Sequence, residues 1–149
     1  MSRANAMAHR IRGLYAVTPD GLPDEQLREK VAAALKGGAR VVQYRDKSQD
    51  AVRRHANAVA LLALCRAAGA ALIINDDLQL ALSTGADGVH LGEHDGDIAA
   101  ARQALGPGRL LGASCYNLLE LAESALASGA DHVAFGSVFA SPTKPGARR

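Results

Sequence analysis

The chain has 149 residues, of which 48% are apolar and 21% charged, with a net charge of +2. That fits one domain able to bury a sizeable core, and the weak, dispersed basic charge with no interleaved aromatics argues against nucleic acid as a partner. The longest apolar run, Ala58 to Cys65, falls far short of the ~20 residues that span a membrane, and Cys65 and Cys115 alone make no disulfide framework, so the setting expected is reducing and cytoplasmic.

Residues 1–10, MSRANAMAHR, have no apolar run behind them and read as a flexible N-terminal extension, leaving 11–149 as the domain. "RGLYAVT" is the first predicted strand. "PDEQLREKVAAALKGG" has Pro23 and acids at its front and paired glycines at its back, which predicts the first helix. "ARVVQYRDK" is the second strand, and residues 49–68, rich in Ala and Leu, form the second helix before Gly69. "AALIIN" is the third strand, followed by a short helix from Leu78 to about Ser83. "DGVHLG" is the fourth strand, residues 97–105 the next helix, and "RLLGAS" the fifth strand. Residues 117–128 are helical, "DHVAFGS" is the sixth strand, and "VFASPTKPGARR" is loop. Three helix stops share a phrase: "GGAR", "TGAD" and "SGAD".

Alternating strands and helices predict an α/β fold with a parallel sheet. A doubly wound sheet would decorate one switch point, whereas a (β/α)8 barrel gathers every strand end in one ring. Five consecutive strand ends are polar here: "QYRDK" (43–47), "NDD" (75–77), "GEHD" (92–95), "SCYN" (114–117) and "SPTK" (141–144). That favours a TIM-type barrel, incomplete at about six βα units.

In "QYRDK" the alternation places Gln43, Arg45 and Lys47 on one face and Tyr44 and Asp46 on the other. Arg and Lys at one strand end suit an oxyanion such as phosphate; the alternative is a solvated turn with an Arg–Asp pair. Asp76, Asp77, Glu93 and Asp95 crowd neighbouring strand ends. Clustered carboxylates repel unless a cation sits among them, and hard oxygen donors favour Mg2+, whose shell water and a substrate diphosphate complete. Either Asp76 or Asp77 can instead cap the next helix. Ser141, Thr143 and Lys144 can hold phosphate or form a surface loop. Ser114 closes the fifth strand, His90 is expected as a satisfied polar residue inside the barrel, and Cys115 lies near the mouth without a paired His.

"GLYAVT", "VVQYRDK", "LIINDD", "GVHLGEHD", "LLGASCYN" and "HVAFGSVFASPTK" stand in the order seen in the thiamine-phosphate synthase family, and the resemblance runs from about Gly13 to Lys144. It implies an enzyme that joins hydroxymethylpyrimidine diphosphate to thiazole phosphate and releases pyrophosphate. By position, Gln43, Arg45, Lys47, Asn75 and Lys144 resemble the pyrimidine diphosphate contacts, and Asp76 and Asp95 the Mg2+ ligands. Ser114 resembles a contact near the pyrimidine, and Ser141 and Thr143 the hydroxyl pair on the thiazole phosphate. Arg45, Lys47 and Lys144 are the expected catalytic charges on the leaving group. The resemblance implies a seventh and an eighth strand in the family, whereas the residues up to Arg149 are expected to supply about six βα units. Two alternatives stand beside this: an inactive shortened barrel that self-associates through open sheet edges, and a related thiazole tautomerase, which would want a placed acid–base His and no diphosphate grip.

Overall fold

The computed structural model describes residues 11–137. Strands β1 (Leu14–Val17), β2 (Ala39–Tyr44), β3 (Ala71–Asn75), β4 (Gly88–Leu91), β5 (Leu110–Tyr116) and β6 (His132–Phe135) alternate with five helices. These are α1 (Asp24–Lys36), α2 (Ala51–Ala67), α3 (Leu78–Thr84), α4 (Ile98–Leu105) and α5 (Leu119–Ala127). The strands form one sheet in chain order, and every neighbouring pair is parallel. Among the described residues the sheet is an incomplete TIM-type barrel of six strands, as the decorated strand ends predict. Residues 1–10 and 141–144 lie outside the described residues.

Strand periodicity sorts the side chains into two layers. Val42, Tyr44, Leu72, Ile74, Val89, Leu91 and Leu111 face the helices, where they pack with Leu27, Val31, Ala58, Leu61, Cys65 and Ala81. Their neighbours along the strands, Val41, Ala71, Ile73 and Leu110, form a separate inner cluster with Tyr15. Both faces of β2 to β5 are thus largely buried, as parallel strands require.

The repeated "GAD" phrase has a structural role. Asp87 accepts a hydrogen bond from the Leu72 amide through its side chain (3.0 Å), while its own N–H donates to the Leu72 carbonyl (3.0 Å). Asp131 does the same at Leu111, at 2.8 and 2.7 Å. Each Asp thereby latches the start of its strand to the strand before it. Asp131 also pairs with Arg102 at 2.6 Å, and Arg102 donates to the carbonyls of Gly106, Arg109 and Gly129.

Cys115 corrects one expectation. It is 1% exposed and sits behind β5 against Ala122 and Ala125 of α5, because its position in the strand alternation points it at the helix layer. Burial also pushes its thiol upward, so it is a packing residue and not part of the mouth.

Candidate active site

The C-terminal ends of β2 to β5 open on one side of the sheet. The end of β1 holds the "QYRDK" stretch in place. Thr18 Oγ1 accepts from the Arg45 amide (2.9 Å) and donates to the Arg45 carbonyl (3.2 Å). Asp20 accepts from the Lys47 amide (3.0 Å) and forms an ion pair with the Arg45 guanidinium. Thr18 and Asp20 carry no role in the sequence reading, because "TPD" before a helix reads as punctuation. Their partners lie 27 residues downstream.

Arg45 and Lys47 line a cavity of about 540 Å³ with Asn75, Asp76, Asp95 and Ser114; Tyr116, Ser137 and His94 complete much of its wall. An adjoining cavity of about 430 Å³ shares Lys47, Asn75, Asp76 and Asp95. Six of the predicted site residues therefore meet at one opening. Gln43 is a layer deeper. It is 7% exposed, and its amide donates to the Tyr15 hydroxyl at 3.0 Å. Tyr44 and Asp46 lie on the opposite face, as the alternation predicts, with the Tyr44 hydroxyl donating to Asp46 (2.9 Å).

The adjacent aspartates of "NDD" separate by backbone geometry. Asp77 is the N-cap of α3; its side chain accepts from the Leu80 amide (2.8 Å) and from Arg54 (2.7 Å). Asp76 has φ 63°, a left-handed conformation that a non-glycine residue adopts rarely and that recurs where side chains are held for function. Its carboxylate turns to the cavity and pairs with Lys47. Asp95 is drawn to the same place by the Gly92 amide, which donates to its Oδ2 at 2.7 Å. A Cβ on Gly92 would stand 2.7 Å from that oxygen and 3.9 Å from Asp76 Oδ1, so a side chain there would crowd the carboxylate pair.

The two carboxyls respond in opposite directions. Partial burial raises both, but Lys47 and contact with Asp95 bring Asp76 below its usual value, whereas Asp95, beside the Asp76 charge, is held above it. Asp95 therefore holds a proton more readily than an isolated carboxyl, and a cation between the two groups would relieve their repulsion. Among the described residues no three His, Cys, Asp or Glu side chains gather into a closed metal cage. Two carboxylates facing an open cavity suit Mg2+, which takes one or two and fills the rest of its shell with water and phosphate oxygens.

A family model described as thiamine monophosphate synthase matches residues 14–149. The thiamine-phosphate synthase of Chromobacterium violaceum is 63% identical over 139 residues, covering 93% of this chain and 67% of that protein. This chain belongs to the thiamine monophosphate synthase family. The thiamine-phosphate synthase of Thioalkalivibrio sulfidiphilus is 57% identical, over 94% of this chain and 67% of its own. The solved thiamine phosphate pyrophosphorylase of Pyrococcus furiosus superposes with a TM-score of 0.74 at 34% identity, over 84% of this chain and 60% of that one. The chain thus spans about two thirds of its curated relatives and less of the Pyrococcus furiosus structure. N-acetylneuraminate lyase of Fusobacterium nucleatum, at 16% identity and a TM-score of 0.67, shares the fold. No helix among the described residues of this synthase-family chain is long and apolar enough to cross a membrane.

Proposed function

We propose that this cavity joins hydroxymethylpyrimidine diphosphate to thiazole phosphate, making thiamine phosphate and releasing pyrophosphate. The observation that carries the reading is the convergence of Arg45, Lys47, Asp76 and Asp95 on one opening at the strand ends. The C–O bond between the pyrimidine methylene and the diphosphate breaks, with its electron pair leaving on the diphosphate. The thiazole nitrogen forms the new C–N bond to that methylene carbon. No covalent nucleophile is needed, which agrees with a buried Cys115.

Arg45 and Lys47 stabilise the negative charge that collects on the leaving group. Asp76 and Asp95 would hold Mg2+, which when bound supplies further charge to the diphosphate oxygens. Asn75 and Ser114 line the same cavity and orient the pyrimidine diphosphate. Ser141, Thr143 and Lys144 keep the roles that the resemblance implies, on residues outside those described.

Pyrophosphate release by the purified protein tests this. Release is expected only with both substrates and Mg2+ present. Asp76→Ala and Asp95→Ala should each lower the rate about 100-fold, the scale seen when one charge-stabilising group is removed. Undiminished release by both variants would remove the metal assignment.

One observation favours the self-association reading as an alternative. Among the described residues β1 and β6 each keep an unpaired edge, and Leu14, Val17 and Phe135 are 57%, 52% and 50% exposed. Light scattering separates the two: an inactive, well-behaved dimer supports the alternative, and an active monomer rules it out.

A further inference from the structure

A chain of three rings lies beneath the cavity, on the inward side of the sheet. The Tyr15 and His132 ring centroids are 6.1 Å apart, and those of His132 and His90 are 5.6 Å apart. Tyr15 stands on β1 and His132 on β6, so the contact crosses the interior between the two outermost strands of the described sheet.

The rings at both ends of this chain touch predicted site residues. Tyr15 accepts from the Gln43 amide (3.0 Å), and His90 Nε2 shares a hydrogen bond with Ser114 Oγ (2.9 Å). Between them three buried imidazole nitrogens, Nδ1 of His90 and both nitrogens of His132, have no hydrogen-bond partner among the described residues. Unpaired buried polar atoms are rare and call for an account. Gly112 supplies part of one. A Cβ there would collide with His90 Nδ1 and His132 Nε2, so both nitrogens converge on the space that its missing side chain leaves.

That convergence bears on the His90 tautomer. Among the described residues His90 Nδ1 has no acceptor within reach, and a buried N–H without a partner is costlier than a buried lone pair, so Nδ1 is the bare nitrogen and the His90 proton sits on Nε2. Nε2–H then donates to Ser114 Oγ, and the Ser114 hydroxyl hydrogen is left to point into the cavity. The opposite tautomer would make Ser114 the donor to His90 and leave only lone pairs facing the substrate. Burial keeps both imidazoles neutral, with the neighbouring ring adding to the effect at His90, so a tautomer and not a charge is being set.

We propose that His90 is a positioning residue: backed by His132 across Gly112, it holds the Ser114 hydroxyl as a donor towards a ring nitrogen of the pyrimidine. The inference rests on the reading of the cavity as the pyrimidine diphosphate site.

The test uses His90→Leu, His90→Gln, Ser114→Ala and the double variant His90→Leu/Ser114→Ala. His90→Leu should lower kcat/KM for the pyrimidine diphosphate about tenfold, the scale of one oriented hydrogen bond. Inhibition by inorganic pyrophosphate should be unchanged, since its charge contacts lie on other residues. His90→Gln, whose amide reaches the Nε2 position, should recover much of the loss. The double variant should be no worse than Ser114→Ala alone. Losses that multiply in the double variant, or a parallel loss of pyrophosphate inhibition, would overturn the proposal. Imidazole nitrogen NMR of the wild-type protein gives a readout independent of turnover: an Nε2–H tautomer at His90 is expected, and Nδ1–H contradicts the proposal. Absence of wild-type turnover would count against the proposed function, while the tautomer still decides the positioning claim.

Discussion

Asp76 and Asp77 are neighbours with the same side chain, and φ 63° at Asp76 gives them different work. Asp77→Ala should cost about 1 kcal/mol through the lost cap of α3 and leave the cavity's carboxylate pair in place. Asp76→Ala should cut turnover and spare stability. Urea unfolding beside the pyrophosphate assay checks the crossover; equal effects of the two variants on turnover would contradict it. Residue types and spacing could not separate the two, because both lie at a strand end where a capping Asp is ordinary. The resemblance favoured Asp76 by position, and the backbone supplies a physical reason for it. His90 was legible as an interior polar residue. Its half-satisfied state was not, because that depends on Gly112 and His132, which are brought in by two further strands.

The strand termini were the most legible elements, since period-two alternation and Gly stops are local signals. The clasp of β1 on the "QYRDK" stretch was not, because Thr18 and Asp20 act on residues of the next strand's end. The "GAD" repeat was visible as a phrase but not as a latch. Asp131, with a side chain 3% exposed, is matched to Arg102 at 15%. Asp131→Ala leaves the guanidinium without its carboxylate and should destabilise the protein by about 3–5 kcal/mol; a urea midpoint shift equal to that of an ordinary surface variant would contradict this. The inward faces of β4 and β6 also set a pH dependence. Burial first, then the neighbouring His132, lowers His90 from 6.5 to about 4, and burial lowers His132 as well. Between those pH values the unfolded chain binds protons that the folded chain refuses. Stability is therefore full above about pH 6.5 and falls as the pH drops towards 4, by up to about 3 kcal/mol from His90 alone. Urea unfolding at several pH values should show this slope, and His90→Leu should flatten it; a slope unchanged in that variant would contradict the assignment.

At the scale of the molecule, a parallel sheet in chain order turns scattered polar strand ends into one rim, so the rim was readable as soon as the barrel was. What the sequence could not supply is the charge state of that rim: Arg45 tied to Asp20, Lys47 to Asp76, and Asp95 held above its usual range beside a second carboxylate. This rim is the proposed seat for a divalent ion and the diphosphate that it grips. Calorimetric titration of the protein with inorganic pyrophosphate, with and without Mg2+, tests this most directly. Binding that requires Mg2+ and disappears in both Asp76→Ala and Asp95→Ala is the predicted result; binding of equal strength without the metal, or undiminished in either variant, would contradict it.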